Sequence, residues 1–92
     1  MRLAQLLLNR EFMEVKQVPP FKGRLVATTN KRHGACIRLE AYVCVVNGAI
    51  VITTAKGVVT SGKLLRLYTS GDYIKVTTKG NSVYLFLKEE GL

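Results

Sequence analysis

Acid is what this chain is shortest of. Six Asp and Glu stand against fourteen Lys and Arg, a formal charge of +8, and four of the six (Glu11, Glu14, Glu89 and Glu90) lie near the ends. Between Val15 and Lys88 there are twelve cations and only two acids, Glu40 and Asp72. General acid–base chemistry wants paired carboxylates or a histidine with an orienting acid. Glu40 reads as mid-strand and Asp72 as a turn residue, so neither arrangement is supplied. His33 is the sole histidine, set between Arg32 and Gly34. The two cysteines, Cys36 and Cys44, make no C-x-x-C, and with one histidine they make no metal site. Cys36 has His33 three residues away, but no third group orients the imidazole. The expectation is no enzyme, no metal, no cofactor and no small-molecule substrate.

Other absences bound the fold. With two prolines, no low-complexity tract and 48% hydrophobic residues, the chain is too apolar for a disordered basic tail. Long apolar runs are missing too. Leu3 to Leu8 ends at Asn9-Arg10, short of a signal-peptide core and without a small-residue cleavage site, and nothing is long enough to span a bilayer. We expect a cytoplasmic protein without a membrane partner. Ninety-two residues allow one domain, 1–92, burying about 60–65 per cent of its unfolded surface.

What is present is the rhythm of short antiparallel strands. Glycines at 23, 34, 48, 57, 62, 71 and 80 punctuate stretches rich in Val, Ile, Leu, Thr and Tyr. Asn47-Gly48 is the dipeptide of a type I′ hairpin, which pairs Val46 with Ala49, Val45 with Ile50 and Val43 with Ile52 on a core face shared with Ile37 and Leu39. Phe12–Val18, Gly23–Thr29 and one long strand, Ala35–Val46, precede the turn. That strand would hold Cys36 and Cys44 about 26 Å apart, beyond disulfide reach. Residues 3–9 carry Leu3, Leu6 and Leu7 on one stripe and read as two turns of helix.

In the last forty residues the apolar sets Leu65/Leu67, Ile74/Val76 and Val83/Leu85/Leu87 share a face if two-residue turns fall at Ser70-Gly71 and Lys79-Gly80. The outer face then shows Tyr68, Tyr73 and Phe86 in one row and Arg66, Lys75 and Tyr84 in the next. Gly57 to Lys63 matches G-x-x-x-x-G-K, but Leu64 replaces the hydroxyl that would bind Mg²⁺, and Leu64 to Tyr68 alternates like a strand instead of opening a helix. It reads as a hairpin connection. The fold expected is all-β: six or seven strands in a small antiparallel barrel of OB-like or SH3-like kind, or a compact sandwich.

Positive charge with so few counter-charges points to a polyanion, DNA or RNA. The expected phosphate contacts are Lys31, Arg32 and His33 at a hairpin tip, with Lys22, Arg24 and Arg38 on the adjoining strands. Arg66, Tyr68, Tyr73, Lys75, Tyr84 and Phe86 form a sheet patch suited to stacked bases. Three alternatives remain open for those rings: exposure to bases, cover by the N-terminal segment, or burial against a second copy in a homo-oligomeric interaction module.

Overall fold

The computed structural model describes residues 11–91. Its best-specified local element is the Asn47-Gly48 turn, where both residues adopt positive φ (51° and 76°), the conformation for which Asn and Gly are chosen in a type I′ turn. It joins β3 (Glu40–Val46) to β4 (Ala49–Thr54), and the pairing is as expected: Val46 with Ala49, Val45 with Ile50, Val43 with Ile52. Ala41, Val43, Ile50 and Ile52 are buried on one face. Val45, expected in the core, is 39% exposed because it lies beside the turn.

Around this hairpin the chain winds as a meander. The other strands are β1 (Met13–Val15), β2 (Phe21–Thr28), β5 (Gly57–Ser70), β6 (Tyr73–Thr78) and β7 (Val83–Gly91), all paired antiparallel in one sheet. From β2 to β7 each strand pairs with the next, and β7 returns to pair with β2, so the hydrogen bonds form a ring of six strands. An even number of strands makes first and last antiparallel, which lets the ring close and gives each of the six a neighbour on both sides. β1 is added outside the ring, on β5. The helix expected over residues 3–9 lies outside the described residues.

The fourteen-residue β5 serves two partners, β4 through its first half and β6 through its second. Two irregularities bend it. At the first, the Ser61 hydroxyl accepts the Ile50 N–H at 3.0 Å where the ladder slips. At the second, between Leu64 and Arg66, Leu65 is turned outward to 56% exposure while Leu64 packs on the core. Leu65 therefore leaves the face assigned to it. Gly57 to Lys63, for all its P-loop spacing, runs extended along β4.

The long strand Ala35–Val46 does not exist. Lys31–Cys36 form a 3-10 helix, and Ile37 to Leu39 lead from it into β3, with Arg38 at φ 73° and its N–H bonded to the Leu25 carbonyl at 2.8 Å. Cys36 is buried in the core, Cys44 is half-buried, and both are free thiols.

The largest correction concerns β6 and β7. The first turn falls at Gly71-Asp72, not Ser70-Gly71, a shift of two residues that leaves faces unchanged and sets Tyr68 beside Lys75. The second connection is longer than two residues: Thr77 pairs with Val83, and Asn81 takes the left-handed conformation at φ 67°. The Thr78 hydroxyl accepts the Ser82 N–H at 3.1 Å, closing a loop in which Asn81, not Gly80, carries the positive φ. This displaces β7 by one residue, and a one-residue slip reverses every side chain. Tyr84 and Phe86, expected outside, are wholly buried with Ile74, Val76, Phe21 and Leu25.

Candidate nucleic-acid interface

The sequence from Thr28 to Cys36 is held by its own polar side chains. Thr28 Oγ1 donates to the Val83 carbonyl at 2.9 Å and accepts the Asn30 N–H at 3.0 Å. The Asn30 carboxamide oxygen caps the 3-10 helix by accepting the Arg32 N–H at 3.0 Å, and its amide donates to the Tyr84 hydroxyl at 3.0 Å. That hydroxyl also meets His33 Nδ1 at 2.8 Å. His33 is thus fastened to a core tyrosine and half-buried, not a free side chain at a hairpin tip. Lys31 and Arg32 remain exposed on the rigid segment so formed.

Burial raises the Tyr84 phenol above its ordinary 10.0, and the Asn30 amide partly offsets this. Tyr84 is therefore a neutral hydroxyl throughout the neutral range. Replacing it with Phe removes the shared partner of Asn30 and His33 and is expected to cost about 1–2 kcal/mol in thermal unfolding, with faster amide exchange over residues 30–36. The pH dependence carries the sign. A pKa higher in the folded chain leaves stability intact below 10.0 and erodes it as pH rises towards the folded value, and Tyr84→Phe abolishes that erosion.

Hydrogen bonds then link this segment in turn to the β6–β7 loop, β5 and the β3–β4 turn. Thr29 and Val83 are joined by two bonds, at 2.9 and 3.0 Å. The β6–β7 loop that begins at Lys79 connects to β5 where Lys79 N–H donates to the Lys63 carbonyl at 2.9 Å. Lys63 Nζ reaches the Asn47 carbonyl at 2.7 Å, bringing in the β3–β4 turn. Lys31, Arg32, Lys63 and Lys79 therefore lie on three of these linked segments (28–36, 63–64 and 78–83), which, like the 47–48 turn, contain no carboxylate.

The strand-face cations differ. Lys22 and Arg24 face Glu40 at 4.0 and 3.8 Å, Arg24 also binds Glu89 at 3.1 Å, and Arg66 lies 3.9 Å from Glu14. Such exposed pairs contribute only about 0–1 kcal/mol each, but they cancel local charge. Arg38 is exposed, and its carbonyl accepts from Arg24 Nη1 at 2.7 Å. Asp72, the remaining interior acid, lies in the β5–β6 turn at the opposite end of β6 from Lys79.

Of the expected aromatic patch, Tyr84 and Phe86 are inside and cannot meet a base. Tyr73 is half-buried, paired with Ser70 and Leu87. Lys75 is held between two rings, its Nζ 4.9 Å from the centroid of Phe12 and 4.4 Å from that of Tyr68. Arg66 is exposed and Tyr68 half-buried, and both border an open groove of about 320 Å³ together with Leu65, Thr77, Thr78, Asn81 and Val83. The Tyr68 hydroxyl, and then Glu14, raise the Arg66 guanidinium above its already high value.

Lys79 and Asn81 were not singled out from the sequence as site residues, because a two-residue turn at Lys79-Gly80 hid the loop they belong to. The signal for them was the run Lys-Gly-Asn-Ser itself, whose Asn accepts positive φ more readily than most residues other than Gly. Among the described residues no group of three His, Cys, Asp or Glu could hold a metal, and no helix is long and apolar enough to cross a membrane. No protein-family model matches the chain, and neither does any curated protein or solved structure.

Proposed function

We propose that this protein is a non-catalytic nucleic-acid-binding module of low sequence specificity, its ring a small β-barrel that grips phosphates of DNA or RNA at one rim. The observation that carries the reading is the concentration of Lys31, Arg32, Lys63 and Lys79 on bonded segments without a carboxylate, while Glu14, Glu40 and Glu89 answer cations elsewhere. Phosphate contacts position a duplex or strand without reading bases, which accounts for low specificity.

The test is a titration of labelled single- and double-stranded oligonucleotides at two salt concentrations. Four phosphate contacts imply that a fourfold rise in salt weakens duplex binding by about 10²-fold. Changing all four rim cations to Gln is expected to flatten the log–log salt slope by about three to four, whereas Lys22→Gln, beside Glu40, leaves it nearly unaltered. Absence of binding at low salt overturns the proposal.

A second reading, a homo-oligomeric interaction module, draws on a different surface. On the outer face of β3, β4 and β5, Tyr42, Thr53 and Val58 pair in one row and Cys44, Val51 and Thr60 in the next, without a charge. Tyr42 is 51% and Val58 62% exposed. Light scattering decides it, since a strict monomer removes this reading.

A further inference from the structure

We infer that the groove bordered by Tyr68, Arg66 and Asn81 seats one unpaired base, so that the nucleic acid held at the rim is single-stranded. The inference rests on the rim reading above and adds to it a pocket and a ligand class. The groove owes its existence to the two departures from regular pairing at this end of the sheet. The slip between Leu64 and Arg66 turns Leu65 out as one wall, and the positive φ of Asn81 carries the β6–β7 loop outward as another. At about 320 Å³ it lies at the small end of ligand clefts.

Its lining suits the edge and face of a base. Leu65 and Val83 are apolar, Tyr68 is aromatic, the Asn81 amide offers both a donor and an acceptor, and the Thr77 hydroxyl, which donates its proton to the Arg66 carbonyl at 3.4 Å, offers an acceptor. Lys75 Nζ lies over one face of the Tyr68 ring, 4.4 Å from its centroid, and steadies it, so a base packs on the opposite face with little side-chain freedom lost. Stacking on a tyrosine is indifferent to base identity, which agrees with low specificity. Location ties the pocket to the rim: Asn81 is two residues from Lys79, and Val83 is bonded to Thr29 at the start of the Lys31–Arg32 segment. Arg66 provides a phosphate contact on the far side. Glu14, 3.9 Å away, competes for that guanidinium, but both side chains are more than half exposed and the pair is weak. A base within a duplex is stacked and paired and cannot enter, so only a single strand uses rim and groove together.

The chain has no tryptophan, so Tyr68→Trp installs a single reporter. Oligothymidylate is expected to quench its fluorescence in step with binding, and a duplex of the same length to leave it bright. Tyr68→Leu, which keeps the groove wall apolar, should weaken oligothymidylate binding about tenfold or more and spare the duplex. Asn81→Gly keeps the left-handed backbone and should weaken single-strand binding alone, with circular dichroism showing each variant folded. Single strands and duplexes bound alike, with no quenching and no effect of Tyr68→Leu, would overturn the groove while leaving the rim intact. If neither polymer binds at low salt, both proposals fall.

Discussion

Phe86→Ala is expected to remove about 3–5 kcal/mol of folding free energy, a large part of the roughly 5–15 kcal/mol available to a domain of this size. The ring is fully buried, packed edge-on against Phe21 with centroids 5.8 Å apart and near-parallel to Tyr84 at 6.4 Å. Truncation leaves a cavity between two aromatic neighbours on strands that close the ring, where backbone hydrogen bonds to β2 and β6 prevent collapse. Urea unfolding followed by far-ultraviolet circular dichroism measures the loss. Had the register of β7 followed the apolar alternation of Val83, Leu85 and Leu87, Phe86 would lie outside and its removal would change stability by about 0.5 kcal/mol or less. The measurement therefore tests the register directly. Tyr42→Ala, at a half-exposed position on the outer face, supplies the comparison and should stay near that smaller value.

Gly23→Ala is the second large effect, and it acts on the seam. Gly23 lies in β2 between Ala41 of β3 and Lys88 of β7, at a point where the β2–β7 pairing slips. A methyl group built there runs into the Leu87 carbonyl oxygen, with Leu87 C and Lys88 Cα each 3.1 Å away. All three obstacles are backbone, so no rotamer change relieves the clash. β2 and β7 must move apart, and the hydrogen bonds that close the ring weaken. We expect a loss of about 2–4 kcal/mol, accompanied by concentration-dependent aggregation as β2 and β7 become open edges. Gly62→Ala is the matched control, since a methyl there meets nothing within 4 Å and φ is not positive. Equal stability of the two variants would mean that the seam tolerates separation.

Local chemistry was legible wherever a short stretch decides its own conformation. Asn47-Gly48 demands positive φ twice, and that alone sets the whole β3–β4 register. The failed P-loop was legible for a similar reason, because Leu64 cannot bind Mg²⁺ and alternation runs through it. Where conformation depends on distant partners, alternation misled. Residues 35–39 alternate well enough for a strand but form helix and connection, because Asn30 caps a 3-10 turn and Tyr84, more than fifty residues on, holds His33. The face of β7 was misread because Leu85 is also buried, outside the core cluster, so both faces of the strand carry apolar residues and periodicity cannot choose between them. The four-residue loop between β6 and β7 chose, through the Thr78 hydroxyl and the left-handed Asn81.

The sequence by itself determined the strand-rich composition, one tight hairpin, and an excess of cations over acids in the middle of the chain, since these depend only on residue type and near neighbours. Tertiary structure decided which cations meet a carboxylate among the described residues. Closing the ring brings Glu40, Glu89 and Glu14 against Lys22, Arg24 and Arg66, while the bonded segments that carry Lys31, Arg32, Lys63 and Lys79 contain no acid of their own. Charges far apart in sequence interact only once backbone pairing brings them within a few ångströms, so no count along the chain could have drawn that division.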